Sequence, residues 1–232
     1  GNITVEDVYN SFSLGIGKDG LAGYPLIDVY LTGKELKLAA EVDASVSDFM
    51  TTARLYCSGL NFTFNPHRMI LNKVTDCYLT REDGERIEIQ DDQLYRVVTD
   101  LYTGQMLGSV MEMSYGLLKI EPKDKDGNPI ENLEDQAIME GNKELKAWDA
   151  IARYMKSFDD TDGNGISNVP EYYETTHGRK VVDESRNVID LVKNPNKFSV
   201  MIVGIVLVLI LIIILLVVLI RKLIKKRRRK KK

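Results

Sequence analysis

The chain has 232 residues, 44% hydrophobic and 28% charged, with two cysteines and two histidines. That length buries one good core with an appendage, and neither His67 nor His177 has a second His or Cys at ligand spacing, which excludes a zinc site read from spacing. The net charge of −3 is uneven: ten cationic side chains fall in the last twelve positions, so the remainder carries about −13 and argues against nucleic acid as a partner.

The N-terminal "GNITVEDVYN" has no initiator Met and no basic stretch followed by an apolar run. Thr4 and Asp7 stand at capping-box spacing, which predicts a short helix over "TVEDVYNSF". The Gly-rich "GIGKDGLAGYP" ends it. "LIDVYL" is β-branched and aromatic, hence a strand, and "TGKELKLAAEV" begins a helix with Thr32 and Glu35 at capping-box spacing. Leu36, Ala39 and Ala40 share one face of that helix.

"ARLYCSGLNFTFN" and "MILNKVTDCYLT" flank the turn-forming "NPHR" and predict a hairpin. A turn centred on His67 puts Cys57 and Cys77 ten residues away on either side, facing each other. That register is compatible with a disulfide and equally with two buried thiols. "RIEI" and "LYRVVTDLY" predict a further strand pair around "QDDQ", followed by a small-residue helix "TGQMLGSVMEMS" and a strand "GLLKIEP". Mixed elements without regular βαβ alternation place the chain in the α/β class of the irregular, α+β kind, not among doubly wound sheets.

Beyond the turn "KDKDGNP", "NKELKAWDAIARYMKSF" aligns Leu145, Trp148, Ile151, Ala152, Met155 and Phe158 on one helical stripe that should dock on the preceding domain. "DTDGNGISNVPE", residues 160–171, then sets Asp160, Asp162 and Asn164 at alternate positions, Gly165 at the sixth and Glu171 at the twelfth, nearly an EF-hand loop. Ile166 arrives one position early, offering a backbone carbonyl, and Pro170 interrupts the exit helix. Calcium is the cofactor such a loop implies, an acidic turn capping the Trp148 helix the alternative. From 174 the chain turns polar and Asn-rich, as a stalk would be. Ser199 to Ile220 is a run of twenty-two uncharged residues, long enough to cross a hydrocarbon core. The cationic tail behind it is expected in the cytoplasm, with residues 1–198 outside the cell and lipid as a partner.

No Gly-x-Ser-x-Gly elbow, phosphate-cradling Gly-Lys loop or His-Glu-x-x-His helix occurs, so no catalytic residue is assigned. Four segments in order, "GNITVEDVY", "LIDVYLTGKEL", "SGLNFTFNP" and "YRVVTDLY", resemble the C-terminal domain of the 5'-nucleotidase family over approximately residues 1–121. The resemblance implies a mixed sheet with helices that supplies a nucleotide-binding surface. It also implies that a preceding dimetal phosphoesterase domain, upstream of Gly1 and absent from this chain, holds the divalent metals and performs hydrolysis. Family members clamp the nucleobase between two rings, one in a Pro-Phe step after the first helix and one in a Gly-Gly-Asp-Gly-aromatic loop after the "YRVV" strand. Here Leu14 stands where the first ring would fall and leaves Phe12 two residues earlier, while "TGQMLGSVMEMSYG" replaces the second loop with Tyr115 as its ring. Phe12 and Tyr115 are therefore the candidate substrate-binding residues, with core packing as the alternative for both.

The expected organisation is a substrate-binding domain over 1–135, a helix with an acidic loop over 136–173, a stalk over 174–198, a transmembrane helix over 199–220 and a basic tail over 221–232. Two functions fit it. One is the substrate-binding, membrane-anchoring part of a cell-surface phosphoesterase acting on extracellular nucleotides or related phosphoesters. The other is a non-catalytic surface stalk or adhesion module with a calcium loop.

Overall fold

The computed structural model describes every residue except Asp48, Thr52, Ala53, Tyr115, Lys231 and Lys232. In chain order the elements are α1 (Val5–Phe12), β1 (Leu26–Thr32), α2 (Gly33–Val46), β2 (Leu60–Phe64), β3 (Val74–Thr80), β4 (Arg86–Glu88), β5 (Leu94–Asp100), α3 (Leu101–Met113), β6 (Met139–Glu140), β7 (Lys143–Glu144), α4 (Ala147–Lys156), β8 (Lys180–Val182), α5 (Val188–Val192) and α6 (Lys197–Lys230). The mixture is α/β with antiparallel pairing, in sheets ordered β1-β5, β4-β3-β2-β8 and β6-β7. Two compact units share these elements.

The first unit comprises Gly1–Ala40, Cys57–Asn61 and Cys77–Lys180. β1 alternates strictly: Ile27, Val29 and Leu31 are buried, while Asp28, Tyr30 and Thr32 are only half-buried. That period-2 pattern is what a strand with one covered face requires. Leu101, at the head of α3, seats on Ile27 and Val29, and Tyr24, Val97, Ile130 and Leu133 close around them. β5 pairs with β1 from Leu26↔Asp100 to Thr32↔Leu94.

The predicted pairing of "RIEI" with "LYRVVTDLY" is thus corrected. β4 is three residues long and joins β3, from Tyr78↔Glu88 to Thr80↔Arg86. The intervening "QDDQ" serves α2: Gly33 N–H donates to Gln93 O at 2.9 Å and Lys34 N–H to Asp91 O at 3.0 Å. These are among the orphan donors of a helix N-terminus, so the turn caps a helix instead of closing a hairpin. The expected strand "GLLKIEP" is also absent. Leu118 and Ile120 are buried in irregular chain, and Lys123 makes one two-bond bridge with Tyr30, at 2.8 and 2.9 Å. Leu26, at the same edge of β1, exchanges bonds of 2.8 Å with Leu145 and Ile138.

Both capping boxes form. Asp7 Oδ2 accepts from Thr4 N–H at 2.7 Å while Thr4 Oγ1 accepts from Asp7 N–H at 3.2 Å. Glu35 Oε2 accepts from Thr32 N–H at 2.8 Å, and Thr32 Oγ1 from Glu35 N–H at 3.3 Å. The second oxygen of Glu35 takes Glu121 N–H at 3.1 Å and Lys123 Nζ at 2.6 Å. Burial works to raise this carboxyl, but the Lys123 ammonium and the Thr32 donors outweigh it and hold it below the usual carboxylate range.

The hairpin register separates the cysteines. Thr80 N–H donates to Gly59 O at 2.8 Å. Cys57 lies outward of that bond and precedes β2, whereas Cys77 lies inward of it within β3, so the two do not stand opposite each other.

The second unit comprises Glu41–Tyr56, Phe62–Asp76 and Val181–Lys232. The buried carboxylate of Glu41 accepts from the backbone N–H groups of Lys73 and Val74 and from Ser45 Oγ. Buried Arg68 donates to three backbone carbonyls: Asn72 at 2.7 Å, Asp190 at 2.6 Å and Lys193 at 2.6 Å. Asn65 Nδ2 reaches Ser185 O at 2.7 Å, and Asp183 N–H reaches Phe64 O at 2.9 Å. Much of the segment expected as a polar stalk is therefore ordered by backbone hydrogen bonds, including β8 and α5.

At the start of α6, Asn196 Oδ1 accepts from Phe198 N–H at 3.0 Å and Ser199 N–H at 3.1 Å, an N-cap. The side chain of Asn196 also reaches Leu71 O, and its N–H reaches Asn72 Oδ1 at 3.3 Å. Residues Lys197–Lys225 of this helix are long and apolar enough to cross a membrane.

Candidate functional site

The loop after α1 and the head of α3 are the two segments to which the resemblance assigns the base-clamping rings. Helix α1 ends at Phe12, which is 49% exposed. Leu14 is 68% exposed. Tyr115 lies outside the described residues.

Between α1 and β1 the chain folds back on itself. Gly17 N–H donates to Leu21 O at 3.1 Å, Gly23 N–H to Gly15 O at 2.9 Å and Tyr24 N–H to Leu14 O at 2.8 Å. Gly23 has φ +100°, and a Cβ there would lie 2.7 Å from Trp148 Cδ1. Trp148 packs edge-on against Tyr9 of α1 with centroids 5.3 Å apart and donates from Nε1 to Ala22 O at 3.2 Å. The α4 stripe thus covers α1 and the glycine loop.

A buried ion cluster fastens the same loop. Lys146 Nζ lies 2.8 Å from Asp19 Oδ1 and 2.6 Å from Glu144 Oε2. Asp19 also accepts from Leu21 N–H at 3.0 Å and Glu144 N–H at 3.2 Å, and Glu144 accepts from Lys18 N–H at 3.1 Å. The hydrogen bond from Lys146 pulls the Asp19 carboxyl down to about 2. A depressed carboxylate stabilises the fold above its ordinary range, and that contribution disappears as pH falls through the folded value. Emission from Trp148, the only tryptophan, should therefore stay constant from pH 7 to about 4 and shift to the red as pH drops toward about 2. A shift already complete above pH 4 would refute this assignment.

Among the described residues, two further rings meet in this region. Tyr24, from the loop, and Tyr102, from the first turn of α3, stack with centroids 5.9 Å apart and planes inclined by 28°. A base sandwiched between two rings needs twice a contact distance of roughly 3.5 Å, about 7 Å in all. The tyrosines stack directly on each other, and a base enters only if they part. No sequence signal marked them, since Tyr24 also serves the core and Tyr102 opens a helix where the resemblance implied a loop.

A separate open cavity of about 530 Å³ lies over Asp28, Tyr30 and Arg96, rimmed by Asp124, Asp126 and Asp135. Arg96 is committed to Asp28 through three contacts of 2.6 to 2.9 Å. Its lining sets four carboxylates against Arg96 and Lys125, an acidic balance that disfavours phosphate.

In the acidic loop, Asp160 accepts from Gly163 and Gly165 N–H at 2.8 Å each and from Asn164 N–H at 3.2 Å. The Gly165 bond is the chief cause that lowers the Asp160 carboxyl. Asp162 takes Asn164 Nδ2 at 2.9 Å, and Asn164 Oδ1 takes Ile166 N–H at 2.8 Å. The structure brings Asp160, Asp162 and Asn164 together, with Glu171 beginning a 3-10 turn after Pro170. Among the described residues no three His, Cys, Asp or Glu side chains form a group that could hold a metal ion.

Residues 1–113 match the family model described as 5'-nucleotidase, C-terminal domain. No curated protein matches the chain. Among solved structures it is similar to a 5'-nucleotidase precursor from Thermus thermophilus, with 18% identity and a TM-score of 0.51, covering 79% of this chain and 28% of that one. A weaker similarity, 20% identity and a TM-score of 0.37, covers 53% of this chain and 21% of the NAD nucleotidase from Haemophilus influenzae. The chain thus spans little more than a quarter of the Thermus protein it matches.

Proposed function

Because residues 1–113 belong to the 5'-nucleotidase C-terminal domain family, a substrate-binding domain related to nucleotide hydrolases, we propose that this chain is the substrate-binding, membrane-anchored part of a cell-surface phosphoesterase. Its substrates are extracellular nucleotides or related phosphoesters. A dimetal phosphoesterase domain preceding Gly1 supplies the metals and the hydrolytic chemistry. This chain contributes the loop after α1 and the head of α3, with Phe12 exposed at the end of α1. The apolar part of α6 crosses the membrane, residues 1–198 lie outside, and the cationic tail lies in the cytoplasm.

The observation that carries the reading is the family match over the segments that build α1, β1, α2, β5 and α3. Its test is phosphate release from 5'-mononucleotides by the whole gene product with a divalent metal. Phe12→Ala should raise KM roughly tenfold with kcat little changed, as lost stacking on a base would. The chain from Gly1 alone should release none. Phosphate release by that chain above background, surviving repurification, would overturn the division of labour.

A second reading, a non-catalytic surface module stiffened by calcium, is favoured by the direct stacking of Tyr24 on Tyr102 and by the helix in place of the ring-bearing loop. Calcium would be held by Asp160, Asp162, Asn164 and the Ile166 carbonyl, with Glu171 joining once the turn after Pro170 swings inward. Millimolar calcium should raise Tm, and Asp160→Ala with Asp162→Ala should abolish the rise. Calorimetry that detects no binding at that concentration reduces the loop to a turn.

A further inference from the structure

Helix α5 wears its apolar residues on the outside. Val188, Ile189 and Val192 are 71%, 69% and 66% exposed, whereas Asp190 and Leu191 are the half-buried pair. At 100° per residue the three exposed aliphatics fall within one sector of about 100°. A short helix facing water presents the reverse, with polar groups outward. In the same unit Ile70, on the loop after β2, is 46% exposed.

The position of this face in the chain identifies what covers it. Val192 precedes the first residue of α6 by five positions, and Arg68 holds the carbonyls of Asp190 and Lys193. Asn196 caps α6 while bonding to Leu71 and Asn72, and Phe198 and Ser199 are buried. The apolar helix therefore leaves its folded unit with no free spacer, and the uncharged run resumes at Val200. The root of α6 is thus joined through Arg68 and Asn196 to α5 and to the loop that carries Ile70.

We propose that α5, together with Ile70, rests in the outer leaflet interface as a second membrane contact, its aliphatic face sunk about 5–10 Å to the headgroup and acyl boundary. The inference rests on the membrane-anchoring reading of α6 and adds to it a fixed tilt and height for the second unit. An exposed aliphatic cluster beside a spanning helix avoids water only by entering lipid or by meeting another protein surface. Bilayer continuity with α6 assigns it to lipid.

The test uses the whole chain in phosphatidylcholine vesicles whose acyl chains carry shallow bromines, which quench tryptophan at short range. Trp148 is the only tryptophan, so added tryptophans are read against the parent. Ile189→Trp and, separately, Val192→Trp should each lose roughly twofold more emission in brominated than in unbrominated vesicles relative to the parent. Glu184→Trp, on the exposed chain before α5, should behave as the parent. If Ile189→Trp and Val192→Trp are quenched no more than Glu184→Trp while the chain still floats with the vesicles, the proposal fails and the anchor stands. Unquenched tryptophans whose emission depends on the density of chains in the vesicle assign the face to a second copy and equally overturn it. A chain that does not float with vesicles removes the anchor and this inference together.

Discussion

Arg68→Met is expected to destabilise the second unit by about 3 kcal/mol. Three backbone carbonyls, those of Asn72, Asp190 and Lys193, lose a charged donor at 2.6 to 2.7 Å, and leaving a buried acceptor unsatisfied costs on the order of 1 kcal/mol or more apiece. Methionine fills much of the same volume, so the loss isolates the hydrogen bonds from the packing of the stem. Arg68→Lys should recover only part of it, since one ammonium cannot span three carbonyls held by a planar fork. The local consequence is larger than the global one, because Arg68 links the loop after β2 to α5 and to the entry of α6. Hydrogen exchange of residues 188–196 should accelerate more than that of β1 and β5. Uniform acceleration across both units, or loss below about 0.5 kcal/mol, would show that the arginine is not the fastening described.

Gly33→Ala is expected to cost about 3 kcal/mol in the first unit. A Cβ at this position would stand 2.1 Å from Gln90 O and 2.6 Å from Ile89 Cγ2, and neither can retreat cheaply. Ile89 is buried, and the Gln90–Gln93 turn receives the first N–H groups of α2. Overpacking of this kind forces backbone shifts worth roughly 1–3 kcal/mol, and here the shift would also pull Gln93 and Asp91 from the orphan donors they satisfy. Thermal unfolding should show the loss. Gly20→Ala, in open space though at φ +74°, provides the comparison, with a penalty of about 1 kcal/mol from its left-handed backbone alone. Equal penalties at both positions would mean that the clash at Gly33 is relieved and that only backbone preference matters.

The two glycines also mark the division between what is local and what is not. From the sequence alone, "TGKEL" is a helix start with a capping box, and both halves of that box form because Thr32 and Glu35 are three residues apart and need no third party. Thr4 and Asp7 form theirs for the same reason. The strand β1, the apolar run of α6 and the closely spaced Asp160, Asp162 and Asn164 were equally legible, because each depends on the composition of one element or on groups at most five residues apart.

What stayed hidden was the choice of partner. Nothing near "QDDQ" says that it caps α2 instead of joining β4 to β5, and nothing in "RIEI" says that it will pair with β3. The offset of Cys57 from Cys77 follows from a register that a shift of a few residues in the turn sets, which side-chain spacing cannot report. Tyr24 and Tyr102 meet across 78 positions of chain, and Arg68 reaches Asp190 and Lys193 across 122 and 125. Such contacts form only after the elements have packed, when buried carbonyls and rings take whichever partner the core leaves within reach. Sequence therefore determined α1, β1 and α2, the two capping boxes and the membrane-length helix of this protein. Tertiary structure alone decided which segments meet at the candidate site and turned the expected stalk into a folded seat for α6, because a buried polar group must be satisfied wherever its partner lies along the chain.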